Sequence, residues 1–168
     1  MSITMYRASI PVFQKMLTNL SGILTKAAAY AEARKIDPAV LLATRIFPDM
    51  FPLIRQVQIT TDFAKSAAAR LAGIPIPSFP DTELSFDDLQ KRIAAVQAFL
   101  ASLKPEQIDG SEGRKINFKI HEMEFNYTGL DYLTDFAIPN FYFHVTAAYA
   151  ILRMSGMDLS KKDYIGPV

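Results

Sequence analysis

The stretch Ile138-Pro139-Asn140-Phe141-Tyr142-Phe143-His144-Val145-Thr146-Ala147-Ala148-Tyr149-Ala150-Ile151-Leu152-Arg153 decides the fold. It belongs to a segment running from about residue 129 to 155. At helical spacing Leu133, Phe136, Asn140, His144, Ala147, Ala148 and Ile151 share one face. The other faces carry Phe141, Tyr142, Phe143, Val145, Tyr149 and Leu152. A helix that is apolar nearly all round is buried on several sides. It either lies central in its domain or packs on a second subunit. Pro139 is expected to kink or split it, Gly156 stops it, and 157–168 reads as a polar tail.

Three more helices precede it. Over 9–34, Ile10, Phe13, Leu17, Leu20, Leu24, Ala27, Ala28 and Ala31 form one stripe. Ser9 is the expected cap and Pro11 lies in the first turn, with 2–8 as an added turn. Over 49–72, Asp49 is the expected cap, and Ile54, Val57, Thr61, Ala64, Ala68 and Leu71 face inward up to the stop at Gly73. Over 85–103, Ser85 and Asp88 make a variant capping box ahead of Phe86, Leu89, Ile93, Val96, Leu100 and Leu103. Residues 37–48 are a connection with room for a short helical turn. Pro75, Pro77 and Pro80 keep 74–84 extended, a connection that either crosses a bundle end or runs along the bundle's side.

Residues 116–127 change period. Ile116, Phe118 and Ile120 alternate with polar residues, and so do Met123, Phe125 and Tyr127. The phase slips at His121-Glu122, which predicts a β-hairpin pairing Ile120 with Met123, Lys119 with Glu124 and Phe118 with Phe125. The sequence thus predicts a mainly α four-helix bundle with a small β-hairpin before the last helix. One domain is expected over 1–168.

Composition limits the function. The chain has 168 residues, half of them apolar, with 18 basic and 17 acidic side chains. That balance gives no electrostatic case for nucleic acid or an anionic membrane as partner. The absence of Cys removes thiol, disulfide and Cys-metal chemistry. No apolar run approaches the ~20 residues of a membrane span, and the N-terminus lacks the pattern of a secretory signal. A cytoplasmic protein is expected.

Familiar catalytic signatures fail. The seven Gly are scattered, so there is no phosphate loop, and Ser21-Gly22 lies inside a helix. His121-Glu122 starts like a zinc-protease motif, but Phe125 stands where the second His belongs. His121 reads as an exposed turn residue. His144 and Asn140 are a polar pair in an apolar stripe, one turn apart. Either His144 is hydrogen-bonded in the core, for instance to Tyr132 or Tyr149, or it serves a ligand or reaction. Gln58 and Asp62 lie beside the stripe of the second helix. Either they form a solvated edge with Asp62 pairing to Lys65, or they face His144 across the bundle and complete a pocket.

The 138–153 stretch, the second-helix segment 48–58 and the closing Lys161-Lys162-Asp163-Tyr164-Ile165-Gly166 resemble a bacterial family of unknown function. That family is grouped with DinB/YfiT-like metal-dependent bundle proteins. The resemblance covers essentially the whole chain. It implies a four-helix bundle with a long crossover, often a homodimer, and in metal-binding members three His: one on the second helix and two, four apart, on the last. Matched through Leu152-Arg153, the second of these falls on His144 and the first on Asn140. The second helix has no His, and Gln58 or Asp62 is the nearest polar candidate. Amides are poor zinc or nickel ligands, and one His with one carboxylate falls short of a three-ligand centre. The expectation is therefore a degenerate metal site with no metal or cofactor. Its pocket would comprise His144, Asn140, Gln58 and Asp62 and take a small molecule, or else the bundle is structural. The alternative is a metal-dependent enzyme of the thiol-transferase or hydrolase kind, with an atypical site around His144.

Overall fold

The computed structural model describes residues 3–167. Four long helices form the bundle: α1 (Met5–Arg34), α3 (Leu53–Ala72), α4 (Phe86–Ser102) and α7 (Ile138–Met154). Short helices α2 (Pro38–Ala43), α5 (Pro105–Ile108), α6 (Gly129–Asp131) and α8 (Lys161–Ile165) sit in the connections. Helix α3 packs on α7 and α4, and α1 packs on α4 and α7, so the order around the bundle is α1, α4, α3, α7. The interior is one apolar cluster in which Phe13, Leu20, Leu53, Leu71, Leu89, Leu100 and Phe141 are fully buried.

The crossover between α3 and α4 is extended, as its prolines require. Gly73 closes α3 in the left-handed region at φ 69°, and Ser85 caps α4 by accepting from Asp88 N. Strands β1 (Ile116–Ile120) and β2 (Met123–Tyr127) pair in the register read from the sequence: Ile120 opposite Met123, Lys119 opposite Glu124, Phe118 opposite Phe125. The turn puts His121 at φ 52°, exposed. The hairpin's apolar face packs its rings against Tyr132 and Phe136. Gly129 joins it to the last helix where only hydrogen fits, since a Cβ there would meet Ser111 O at 2.0 Å.

Four local expectations are corrected. Helix α1 starts at Met5, capped by Thr4, and Ser9 is buried and donates to Met5 O at 2.7 Å. A hydroxyl that bonds back into the preceding turn has no need to end the helix. Asp49 does not cap α3, whose N-cap is Pro52, without a side-chain bond. Pro139 does not break the last helix. A π-helical turn, Tyr132–Ala137, precedes α7, and the chain returns to α-helical winding around the residue that has no N–H to give. The closing segment is not simply a polar tail. Met157 and Leu159 are buried, and α8 docks on α1 through Asn19 to Tyr164 O (2.9 Å) and the Lys26–Asp163 ion pair. Ser2 and Val168 lie outside the described residues. No helix among the described residues is long and apolar enough to cross a membrane.

Candidate functional site

His144 sits on α7 where that helix meets α3, and it is 9% exposed. Its ring lies nearly parallel to Phe63 of α3 (5.7 Å, 16°) and takes Phe143 edge-on (5.2 Å, 89°). Its Nδ1 is 2.7 Å from Gln56 Oε1. The orientation of that amide is set independently, because Gln56 Nε2 donates to Phe51 O at 3.0 Å. The amide oxygen therefore faces the imidazole, and only Nδ1–H can complete the contact. The proton sits on Nδ1 and the lone pair on Nε2.

Burial, and then the positive charge of Arg55, push the imidazole pKa down to about 4. His144 is neutral at neutral pH. The sign of the stability effect follows. Between about pH 6.5 and about pH 4 the unfolded chain binds a proton that the folded chain refuses. Stability is whole above that window and declines as pH falls through it, by up to about 3 kcal/mol. Urea unfolding at pH 7.5 and 4.5 should show the loss, and His144→Leu should flatten that part of the profile. An unchanged slope in the variant would remove His144 as its source.

Among the described residues Nε2 has no hydrogen-bond partner. Among the described residues Ser111 Oγ alone is a fully buried side-chain polar atom without a hydrogen bond. Nε2 thus keeps contact with solvent. The arrangement is that of a histidine oriented through one nitrogen and free at the other.

The four expected site residues do not form one pocket. Asn140 shares the His144 face but donates Nδ2 to Phe136 O at 2.7 Å, within its own helix. Gln58 and Asp62 lie on the opposite flank of α3. Residues two apart are turned by about 200°, so Gln56 and Gln58 cannot serve the same neighbour. Gln58 donates to Glu83 Oε2 (2.8 Å) and accepts from Arg55 (3.2 Å). Asp62 pairs with Lys65 (2.9 Å) and Arg92 (2.7 Å). Tyr132, a sequence candidate for the histidine's partner, is instead bonded to Arg70 (2.9 Å).

That second flank is an ionic cluster. Arg92 has a 2% exposed side chain and reaches Asp62, Asp81 (3.1 Å) and Glu83 (3.0 Å). It also donates to Thr61 (2.7 Å) and Pro80 O (3.2 Å). Arg55 holds Asp81, and Lys65 lies 4.9 Å from the Phe79 ring centre. The cluster ties the proline-rich crossover to α3 and α4. Every charge in it is compensated, so it is a clasp rather than a reaction centre.

Sequence reading missed Gln56, Phe63 and Arg92. A signal existed for each. Gln56 and Phe63 are seven apart and so share a helix face. Arg92 stands three after Leu89 and four before Val96, within the apolar stripe of α4.

The residues present do not fit a metal centre. Among the described residues no group of three or more His, Cys, Asp or Glu is placed to hold an ion. Around His144 the polar neighbours Gln56 and Asn140 are neutral amides, and Nδ1 is already committed.

A family model described as "Domain of unknown function (DUF1993)" matches residues 5–165. The chain belongs to this family. A solved relative is described as the crystal structure of a DinB family member protein from Shewanella denitrificans at 1.83 Å resolution. It is 39% identical, the match covers 97% of this chain and 92% of that one, and the TM-score is 0.88. No curated protein matches. The DUF1993 chain is thus a DinB-like bundle with a small hairpin, and neither comparison names an activity.

Proposed function

We propose that this DUF1993 protein is a small-molecule-binding bundle that works without a metal, with His144 as its polar anchor. The supporting observation is the Gln56–His144 contact, which fixes a neutral imidazole and leaves Nε2 for a ligand. Gln56 takes the supporting place at first given to Gln58 and Asp62. Asn140 borders the site from the same helix. A cytoplasmic location belongs to this reading and accords with the absence of Cys.

Elemental analysis of untagged protein, purified without chelator, tests it. The expected result is no zinc, nickel or iron near one per chain, and unchanged stability in chelator. One equivalent of metal, lost in His144→Ala, would replace this reading by a metal-dependent enzyme.

A second reading, compatible with the first, is a homodimer through the outer face of α7. From Ile138 to Leu152 that helix carries no charged side chain. Phe143 (56%) and Met154 (55%) are exposed on it, and Phe47 (61%) is exposed on the α2–α3 connection. An uncharged apolar face meets a second copy of itself without repulsion. Light scattering at micromolar concentration should give twice the chain mass, and Phe143→Lys should give the monomer. A wild-type monomer at that concentration would end this reading.

A further inference from the structure

We propose that the outer face of α7 holds a second copy of this chain by reciprocal insertion, the Phe143 ring of each copy seated in the other's cleft over Ala150. This rests on the homodimer reading above and adds which groups fill which space.

The cleft lies beside Phe143. Ile46 and Met50, from the connection into α3, line it together with α7, and Ala147 and Ala150 leave it open because their side chains end at Cβ. Its volume is about 360 Å³. A cavity of about 150 Å³ accepts a benzene ring, so a phenyl group enters with room to spare. Phe143 lines the same cleft and is 56% exposed. One face thus carries both a projecting ring and a hollow that fits a ring.

Symmetry turns that pairing into an interface. A two-fold axis placed midway between a knob and a hollow on one face brings each copy's knob onto the other's hollow. Phe143, Ala147 and Ala150 follow one another at i, i+4 and i+7 on α7, so they form one line. From 143 to 150 the helix rises about 10.5 Å. Halfway lies close to Ala147. An axis there runs the two α7 helices antiparallel, sets Ala147 against the partner's Ala147, and puts Phe143 over the partner's Ala150. The small residues stand where the backbones come closest, and the rings stand where there is space.

The polarity of the seat suits a copy of the same face. No acid or base lines the cleft apart from the Tyr142 phenol. Thr146 also lines it, but its hydroxyl is already bonded to the Tyr164 hydroxyl at 2.9 Å, so covering it leaves nothing unpaired. The lining's other hydroxyl, on Tyr142, lies near Tyr164, with which it lines an adjoining cleft. Both hydroxyls therefore gather toward Tyr164 and leave the stretch from Ala147 to Ala150 apolar. The inserted ring also stands edge-on to His144 of its own chain (5.2 Å, 89°), so the seam between copies adjoins the candidate site.

Complementary variants test the insertion. Phe143→Ala removes the knob, and Ala150→Phe fills the hollow. Each alone should raise the dimer's dissociation constant at least about thirtyfold, because two seats are lost and each buried ring is worth about fivefold or more. An equimolar mixture of the two should dimerise at least about tenfold more tightly than either alone. The ring added by Ala150→Phe takes the place of the one that Phe143→Ala lacks. Sedimentation velocity over a concentration series reads all three. The chain has no Trp, so Phe143→Trp supplies a single reporter, whose emission should move to the blue as concentration carries the protein from monomer to dimer. That measurement stands even if Ala150→Phe folds poorly. A wild type that stays monomeric at micromolar concentration overturns the homodimer reading and this proposal together. A wild-type dimer that Phe143→Ala leaves intact, no gain on mixing folded variants, or Trp emission that stays solvent-exposed in the dimer overturns the insertion and leaves the homodimer reading standing.

Discussion

Arg92→Met should cost about 3–5 kcal/mol of unfolding free energy. The size follows from what stays behind. Arg92 is buried to 2% side-chain exposure, with Asp62, Asp81 and Glu83 around it, and Glu83 is itself 9% exposed. Met fills much the same volume, so the loss is electrostatic rather than steric. Three carboxylates gathered around one cation become three that repel one another, and Glu83 cannot escape to water without moving the crossover. Arg92→Lys should recover only part of the loss, because a single ammonium cannot span Thr61, Pro80 O and three acids at once. Adding Asp62→Asn and Glu83→Gln to Arg92→Met should restore stability, since the penalty lies in uncompensated charge. Urea unfolding reads the energies. Amide exchange over 76–84 reads the crossover, which should open locally in Arg92→Met before the bundle unfolds. A cost below about 1 kcal/mol would show that water reaches these acids and that the clasp is only a surface feature.

The same cluster shows where sequence reading stops. Apolar stripes place each helix and its inward face, because a 3.6-residue period leaves one way to bury them. The hairpin register follows from alternation for the same reason: a slip of one residue would turn Phe118 and Phe125 to solvent. The flanks of a helix are different. Gln56 and Gln58 are both polar and both border the α3 stripe, and nothing local says that one meets α7 and the other meets the crossover. That depends on the order of helices around the bundle, which periodicity does not carry. Arg92 was hidden for a related reason. Its position in the stripe reads as an interruption until three acids from two other segments are brought to it. The turn before α7 was also illegible, because a helix accommodates a proline either by a kink or by a change of winding, and the packing of Tyr132 and Phe136 on the hairpin decides which.

Phe141→Ala is expected to rival that loss, at about 3–5 kcal/mol, by a different mechanism. Phe141 is fully buried, and its ring meets Phe13 of α1 edge-on at 4.9 Å and 70°. Removing it empties the seam between α1 and α7, and neighbours held in two long helices cannot close the gap. A double-mutant cycle with Phe13→Ala should give a coupling of about 0.5–1.5 kcal/mol for the edge-to-face pair. The same residue stands one turn before His144, which links core to site. Phe141→Leu keeps most of the volume, so it should leave the exchange rate of the His144 Nδ1–H proton at its wild-type value. Phe141→Ala should let that proton exchange faster while the protein is still folded, because α7 is then pressed less firmly onto α3 and Gln56. If the alanine variant lost stability but kept Nδ1–H exchange unchanged, the α3–α7 contact alone would position His144, and the α1 seam would contribute to the fold without touching the site.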